Sequence, residues 1–331
     1  MKLIRLIIIA FVLFAGQGYA QQKKIAYCSN QTESGFLQIF IMNEDGSDKK
    51  QLTDIKENCM KPKWSPDGKQ IVFYTDREYI YLIRNIETAS PSADPFYLYN
   101  GVNPSFMPDG QQIMYNSEND DVLSIFVIDT AAFGAEPYMV SDGGYSNMQV
   151  LSADGSKLVF SAFNDGTKAV MIADLNDTTD NYITKVSKNN DANLEPDISS
   201  DGRKFVYSSF DNNLKGTIRI NESGNETALT KGMASSNVPR FSPDGNKIAF
   251  VVIGENSVSL YVMNSDGSGK KDLQISGGNV GTFEWIDNES IVYDAGSESK
   301  LSIGIIDVDS GNSEIIASGG FNLQPSCQKG K

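Results

Sequence analysis

The chain has 331 residues, a formal net charge of −14 and no histidine. Without imidazole it cannot build a Ser-His-Asp or Cys-His nucleophile, a histidine metal ligand or a histidine general base. The acidic balance argues against a nucleic-acid partner, and 40% hydrophobic content places the chain among folded globular proteins.

Residues 1–20 read as a secretory signal. Lys2 and Arg5 make a positive start, Leu6 to Ala15 is unbroken apolar sequence, and Gly18 and Ala20 are small residues at a cleavage site. An apolar run of about ten residues is too short to span a bilayer. The nearest cysteine is Cys28, too distant for a lipid-anchored start. Residues 21–331 are therefore expected to form a single exported domain, periplasmic or secreted, with no membrane span.

From there the chain repeats. Ile25-Ala26-Tyr27 is a period-two strand, and Asn43-Glu44-Asp45-Gly46 is a turn. Pro62-Lys63-Trp64-Ser65-Pro66-Asp67-Gly68 then leads into Ile71-Val72-Phe73, and Pro104 to Gly110 leads into Ile113-Met114-Tyr115. A degenerate copy, Leu151-Ser152-Ala153-Asp154-Gly155, precedes Leu158-Val159-Phe160. Pro196 to Gly202 and Pro239 to Gly245 precede Phe205-Val206-Tyr207 and Ile248-Ala249-Phe250. A third strand, Leu260-Tyr261-Val262-Met263, ends in Asn264-Ser265-Asp266-Gly267, with a fourth around Lys271-Asp272-Leu273. Trp285-Ile286-Asp287-Asn288 precedes Ile291-Val292-Tyr293.

The residues before the turns, at 64, 106, 151, 198, 241 and 285, are spaced by 42, 45, 47, 43 and 44. That period is the signature of four-stranded propeller blades, with strands a to d from the channel outwards. Pro, Asp and Gly suit the successive positions of a bulged hairpin, so the Asp-Gly pairs are turn residues rather than calcium loops. The N-terminal unit lacks strand a, while Asn322 to Cys327 has that strand's phase and no successor. The expected fold is an all-β propeller of seven four-stranded blades, its C-terminal strand completing the first blade, with six blades as the alternative count.

Over residues 22–327 these repeats resemble the TolB-like propellers, built from WD-like Pro-Asp-Gly units. The α/β domain ahead of a six-bladed propeller in TolB has no expected counterpart here. The resemblance implies an exported, non-enzymatic protein that binds a protein or peptide in the cell envelope. Similar repeats also cap prolyl-oligopeptidase-type peptidases, but their catalytic histidine is absent here.

In a propeller the d–a and b–c loops share one face, and loops on a rigid scaffold carry function. Asn58, Asn103, Asn147, Asn193, Asn237, Asn279 and Asn322 precede the successive strands a. Their amides suit peptide or glycan recognition, or brace the turning backbone. Tyr145 and Phe321, beside glycines in the same loops, are candidate aromatic anchors. Glu118, Asp120, Asp121, Asp165, Asp211, Glu255 and Glu298 fall on the b–c loops. Three converging on the channel would hold calcium; dispersed, they form a solvated rim. A carboxylate-bound metal is what the alternative function would need, an enzyme acting on carbohydrates or lactones. For the cysteines, a Cys28–Cys59 bridge between blades is expected if the compartment is oxidising, with Cys327 free.

Overall fold

The computed structural model describes residues 23–328 apart from 92–93, 131–134, 142–144, 165, 178 and 180–181. The expected signal at residues 1–20 and the candidate Asp165 lie outside the described residues.

Seven four-stranded sheets follow one another around a ring. Blade two is typical, with strand a at Cys59–Trp64, b at Ile71–Thr75, c at Tyr79–Ile83 and d at Phe96–Asn100. All pairings within it are antiparallel. The terminal residues come together in blade one. Strand b (Lys24–Ser29) pairs on one side with strand c (Gln38–Asn43) and on the other with Asn322–Cys327, which supplies strand a. The register sets Ile25 against Cys327 and Ser29 against Asn322. This is the expected closure, and it fixes the count at seven rather than six.

The repeat's aromatic position forms the core. Tyr27, Phe73, Tyr115, Phe160, Tyr207, Phe250 and Tyr293 are all buried, and each full burial contributes roughly 1.5–3 kcal/mol. The apolar clusters lie across blade boundaries. One joins Val251 and Leu260 of blade six to Trp285 and Tyr293 of blade seven. Two tryptophans add polar ties there: Trp64 Nε1 donates to the Ser326 carbonyl and Trp285 Nε1 to the Arg240 carbonyl, each at 3.1 Å.

The Pro-Asp-Gly turns explain themselves atom by atom. In blade five, Asp201 Oδ1 accepts the Ser199 hydroxyl at 2.6 Å and the Arg203 N–H at 3.1 Å. Asp67, Asp154 and Asp244 repeat the arrangement. Gly202, with φ of 68°, takes the left-handed position that closes the turn. Beyond strand d, Thr53, Ser141, Ser187 and Thr230 each accept a strand-c N–H through the hydroxyl, those of Ile39, Ile125, Val170 and Ile218. The hydroxyl continues the ladder where the short outer strand ends.

Candidate partner-binding face and channel mouth

Strands a wall the central channel, and their first residues lie at the d–a loop face. In six of them the residue three before the marker is left-handed: Lys61, Asn103, Met148, Glu195, Val238 and Gln324 have φ between 46° and 57°. A register shift in strand a accompanies each of these residues. Five of the six precede Pro62, Pro104, Pro196, Pro239 or Pro325. Proline has no N–H, so it costs the ladder nothing where a bulge already interrupts it. In blade seven, Gly281 and Thr282 oppose Asp294 instead. A Cβ at Gly281 would lie 2.1 Å from Asp294 Oδ1, so only glycine admits that carboxylate.

At three of the strands a, strand b supplies a polar partner for the backbone from the position after the buried aromatic. Asp294 accepts Thr282 N–H at 3.0 Å, the Thr282 hydroxyl, and Gln324 N–H of the next blade at 2.7 Å. Ser208 Oγ accepts Val238 N–H at 3.0 Å, and Asn116 Nδ2 donates to the Ser146 carbonyl at 3.3 Å. Burial raises the pKa of Asp294, its hydrogen bonds opposing.

Charge gathers in the channel on four of the strands a. Lys63 of blade two reaches past blade one to Glu284 of blade seven at 2.5 Å. Arg240 Nη2 meets Glu195 Oε2 at 3.2 Å. Lys61 Nζ donates to the Asn103 side-chain oxygen at 2.8 Å, and its own N–H donates to Gln324 Oε1 at 2.8 Å. The Lys61 side chain is open to the channel yet walled by protein. Desolvation lowers its pKa, Lys63 and Arg240 add to that, and Glu195 opposes it. None of these five charged residues was singled out from sequence. The signal was there: charges one and three residues before the strand-a marker, on the channel side of a two-residue period.

The seven asparagines sit differently from expectation. Only Asn58 is in a loop; the other six lie within strand a. Asn58 Oδ1 accepts Leu37 N–H at 2.9 Å and Asn279 Oδ1 accepts Val258 N–H at 3.0 Å, tying each strand a to the preceding blade. Asn322 is buried and donates to the Leu301 carbonyl at 3.4 Å. Asn193, also buried, donates to Asn189 and Asp191. Asn237 accepts the Ser235 hydroxyl at 3.5 Å, and Asn147 stands opposite Ser161. These contacts brace blades, and Asn103 alone of the seven joins the channel charges.

The aromatic pair expected at 145 and 321 divides. Phe321 is half-buried and its N–H donates to Asn30 Oδ1 at 2.9 Å. Tyr145 is exposed and meets Phe163 edge-on at 6.3 Å, with Lys168 Nζ 5.8 Å from the Phe163 ring centre. Phe163 and Ile253 lie at the b–c ends of their strands b and Leu214 lies in a b–c hairpin, so with Tyr145 of a d–a loop all four are exposed at the loop end that the d–a face shares. Their exposures are 41% for Tyr145, 50% for Phe163, 78% for Leu214 and 43% for Ile253.

Glu118, Asp120, Asp121, Asp211, Glu255 and Glu298 are exposed, and Asp211 Oδ1 accepts the N–H groups of Asn213 and Lys215. Among the described residues no three acidic, cysteine or histidine side chains stand together as metal ligands. The convergence that calcium binding would require is therefore not formed by these carboxylates. An open cleft of about 700 Å³ lies between blades seven and one, lined by Glu44, Asp45, Asp307 and Glu314.

All three cysteines are buried free thiols. Cys28 and Cys59 share one core cluster, as expected for neighbouring blades, but the expected bridge is not formed. Each thiol has turned to a different polar group: Cys28 Sγ lies 3.6 Å from Gln324 Oε1 and Cys59 Sγ 3.7 Å from Gln38 Oε1.

Comparison with known proteins follows the fold. The profile of a family described as the TolB beta propeller domain matches residues 13–287. The Tol-Pal system protein TolB of Francisella tularensis subsp. mediasiatica is 27% identical over 118 residues, 35% of this chain and 27% of that protein. The chain thus matches about a quarter of that relative's length. Among solved structures, TolB from Acinetobacter baumannii superposes with a TM-score of 0.58 at 16% identity, covering 93% of this chain and 67% of that one. A puromycin-hydrolysing peptidase of Mycobacterium tuberculosis superposes with a TM-score of 0.69 at 14% identity, covering 90% and 52%. At such identities the structures share a fold.

Proposed function

Because the chain belongs to the TolB β-propeller domain family, we propose that it is an exported, non-enzymatic binding protein. Its d–a loop face engages a protein or peptide partner of the cell envelope. The observation that carries this reading is the apolar surface on that one face, contributed by Tyr145, Phe163, Leu214 and Ile253. Exposed apolar side chains sharing one face of a scaffold mark interaction surfaces, and an aromatic pair such as Tyr145 and Phe163 anchors them. The relative's name places it in the Tol-Pal system, and a comparable envelope assembly is the setting proposed here.

The signal-like residues 1–20 support export, which a shift in mobility on processing would test. The face is tested by placing a photo-crosslinking amino acid at position 163 in the source cells. A control at position 203 lies on the opposite, Pro-Asp-Gly turn side. A discrete crosslinked protein from 163 and none from 203 is expected. No product at 163, or the same products from both positions, would overturn the assignment.

A further inference from the structure

We infer that the outer edge of blade two, Phe96–Asn100, pairs with the same strand of a second copy of this chain, joining two propellers in one antiparallel sheet. This edge lies on the circumference of the ring, and the pairing goes beyond the function proposed above.

The seven outer strands supply their own comparison. Lys50–Gln51, Ile183–Lys185, Asn225–Ala228, Lys271–Asp272 and Ser313–Ala317 each hold a lysine, aspartate or glutamate. Charges of this kind deter an edge from pairing with its own copy. Only Phe96–Asn100 and the two-residue Tyr138–Met139 of the next blade hold none. Of the large apolar side chains exposed among the described residues, those not on the d–a face are Tyr97, Tyr138 and Met139. All three belong to these two uncharged strands.

The register makes the edge self-complementary. Gly101 N–H turns inward to the Glu78 carbonyl at 2.6 Å, so Asn100 presents its own N–H and C=O outward. Tyr97 opposes Tyr81 and Tyr99 opposes Ile80, which leaves Leu98 as the extra residue of a bulge. Bulges often twist an edge away from pairing. Here the bulge keeps Tyr97 and Asn100 in phase on one side of the sheet, while Leu98 and Tyr99 pack against blade three on the other. A two-fold axis between Leu98 and Tyr99 therefore sets Tyr97 against Asn100 of the second copy, with the side chains of each pair on the same face. Tyr97 is half exposed, yet its ring is held edge-on by Tyr79 and Tyr81, each at 5.9 Å, and its hydroxyl donates to Asn100 Oδ1 at 2.9 Å. An aromatic side chain already fixed in this way loses little freedom on docking.

The charges flanking the edge do not oppose the pairing. At the Phe96 end stand Arg84, 4.0 Å from the Phe96 ring centre, Glu87, Asp94 and Lys50 of blade one. At the Asn100 end stand Arg77, Asp76, Glu78 and Glu57. The axis brings the first group, two cations and two carboxylates, to the second, so an end with no excess charge meets the acidic one. In a chain of net charge −14, an edge of this kind is where a second copy can approach.

Sedimentation equilibrium of the purified protein between about 1 and about 100 µM reads the association. A concentration-dependent rise to twice the chain's mass is expected. Tyr97→Asp should raise the dimer dissociation constant about tenfold or more, because it removes the aromatic contact at the axis. Leu214→Asp, on the d–a face, should leave the constant unchanged, and both variants should keep the wild-type melting temperature. Register is read separately, since the native thiols are buried. Oxidising a mixture of Tyr97→Cys and Asn100→Cys chains should give a disulfide-linked dimer that neither variant gives alone. A protein that stays monomeric throughout, or a dimer that survives Tyr97→Asp unweakened, would overturn the inference. So would a dimer lost only in Leu214→Asp, no linked dimer from the mixture, or equal yields from either cysteine variant alone. A photo-crosslinker at position 97 that captures a different protein and never a second copy would give the edge to another chain, and the inference would fall.

Discussion

The carboxylate of Asp294, in strand b of blade seven, accepts the backbone N–H of Gln324 in the closing strand at 2.7 Å. The same group holds Thr282 of its own blade. One buried side chain thus fastens the last blade to the strand that completes the first. Asp294→Ala would orphan two backbone donors and is expected to cost about 3 kcal/mol, read from urea unfolding. Burial raises the Asp294 pKa, so its contribution is fully present below the ordinary aspartate value and declines as pH rises through the raised one. The penalty of Asp294→Ala should accordingly shrink with rising pH across that window.

Closure itself gives a second prediction. Removing residues 321–331 leaves Lys24–Ser29 with an unpaired inner edge. A fall in melting temperature of more than about 10 °C is expected, since each lost kcal/mol shifts a domain of this size by roughly 2–4 °C or less. A truncated chain melting like the full one would show that the ring does not depend on its clasp.

The turn aspartates should behave oppositely to Asp294. Hydrogen bonds from the Ser152 hydroxyl, then from Ser156, lower the Asp154 carboxyl to about 2. Its stabilisation is present above the ordinary aspartate pKa and is lost as pH falls towards about 2. Wild type and Asp154→Ala should differ in melting temperature near neutrality and converge in strong acid.

Core and thiol chemistry complete the set. Phe250→Ala should cost about 3–5 kcal/mol, and Trp285→Phe about 1 kcal/mol for its lost bond to Arg240.

Burial pushes the Cys59 and Cys327 thiols up to about 12 and Cys28 well above the usual thiol range. Ellman's reagent should therefore find almost no reactive thiol in the native protein and three after denaturation. A count of one in denaturant would mean that one pair has oxidised, and non-reducing peptide mapping would then show whether it is the anticipated Cys28–Cys59 bridge.

Much of the fold could be read directly from the chain because its determinants are local and periodic. The marker residues Trp64 to Trp285 each end a strand a, and Cys327 keeps their phase. The site was harder. The asparagines were placed in loops because turn-forming residues look alike in sequence, whereas the bulges let the strands begin early enough to include most of them. The channel pair Lys63 and Glu284 is separated by 221 residues and joined only by closure of the ring. The hydroxyls at Thr53, Ser141, Ser187 and Thr230 recur after an apolar residue in four blades, a periodic signal as plain as the aspartates and physically as explicable.

The left-handed bulge recurs with lysine, asparagine, methionine, glutamate, valine and glutamine in the same backbone pose. Its conformation therefore does not depend on which of these side chains it carries. Six of the seven blades thus offer the lumen one interchangeable tooth each, and exchanging a single tooth alters what the pore greets without disturbing the wheel that turns it inward.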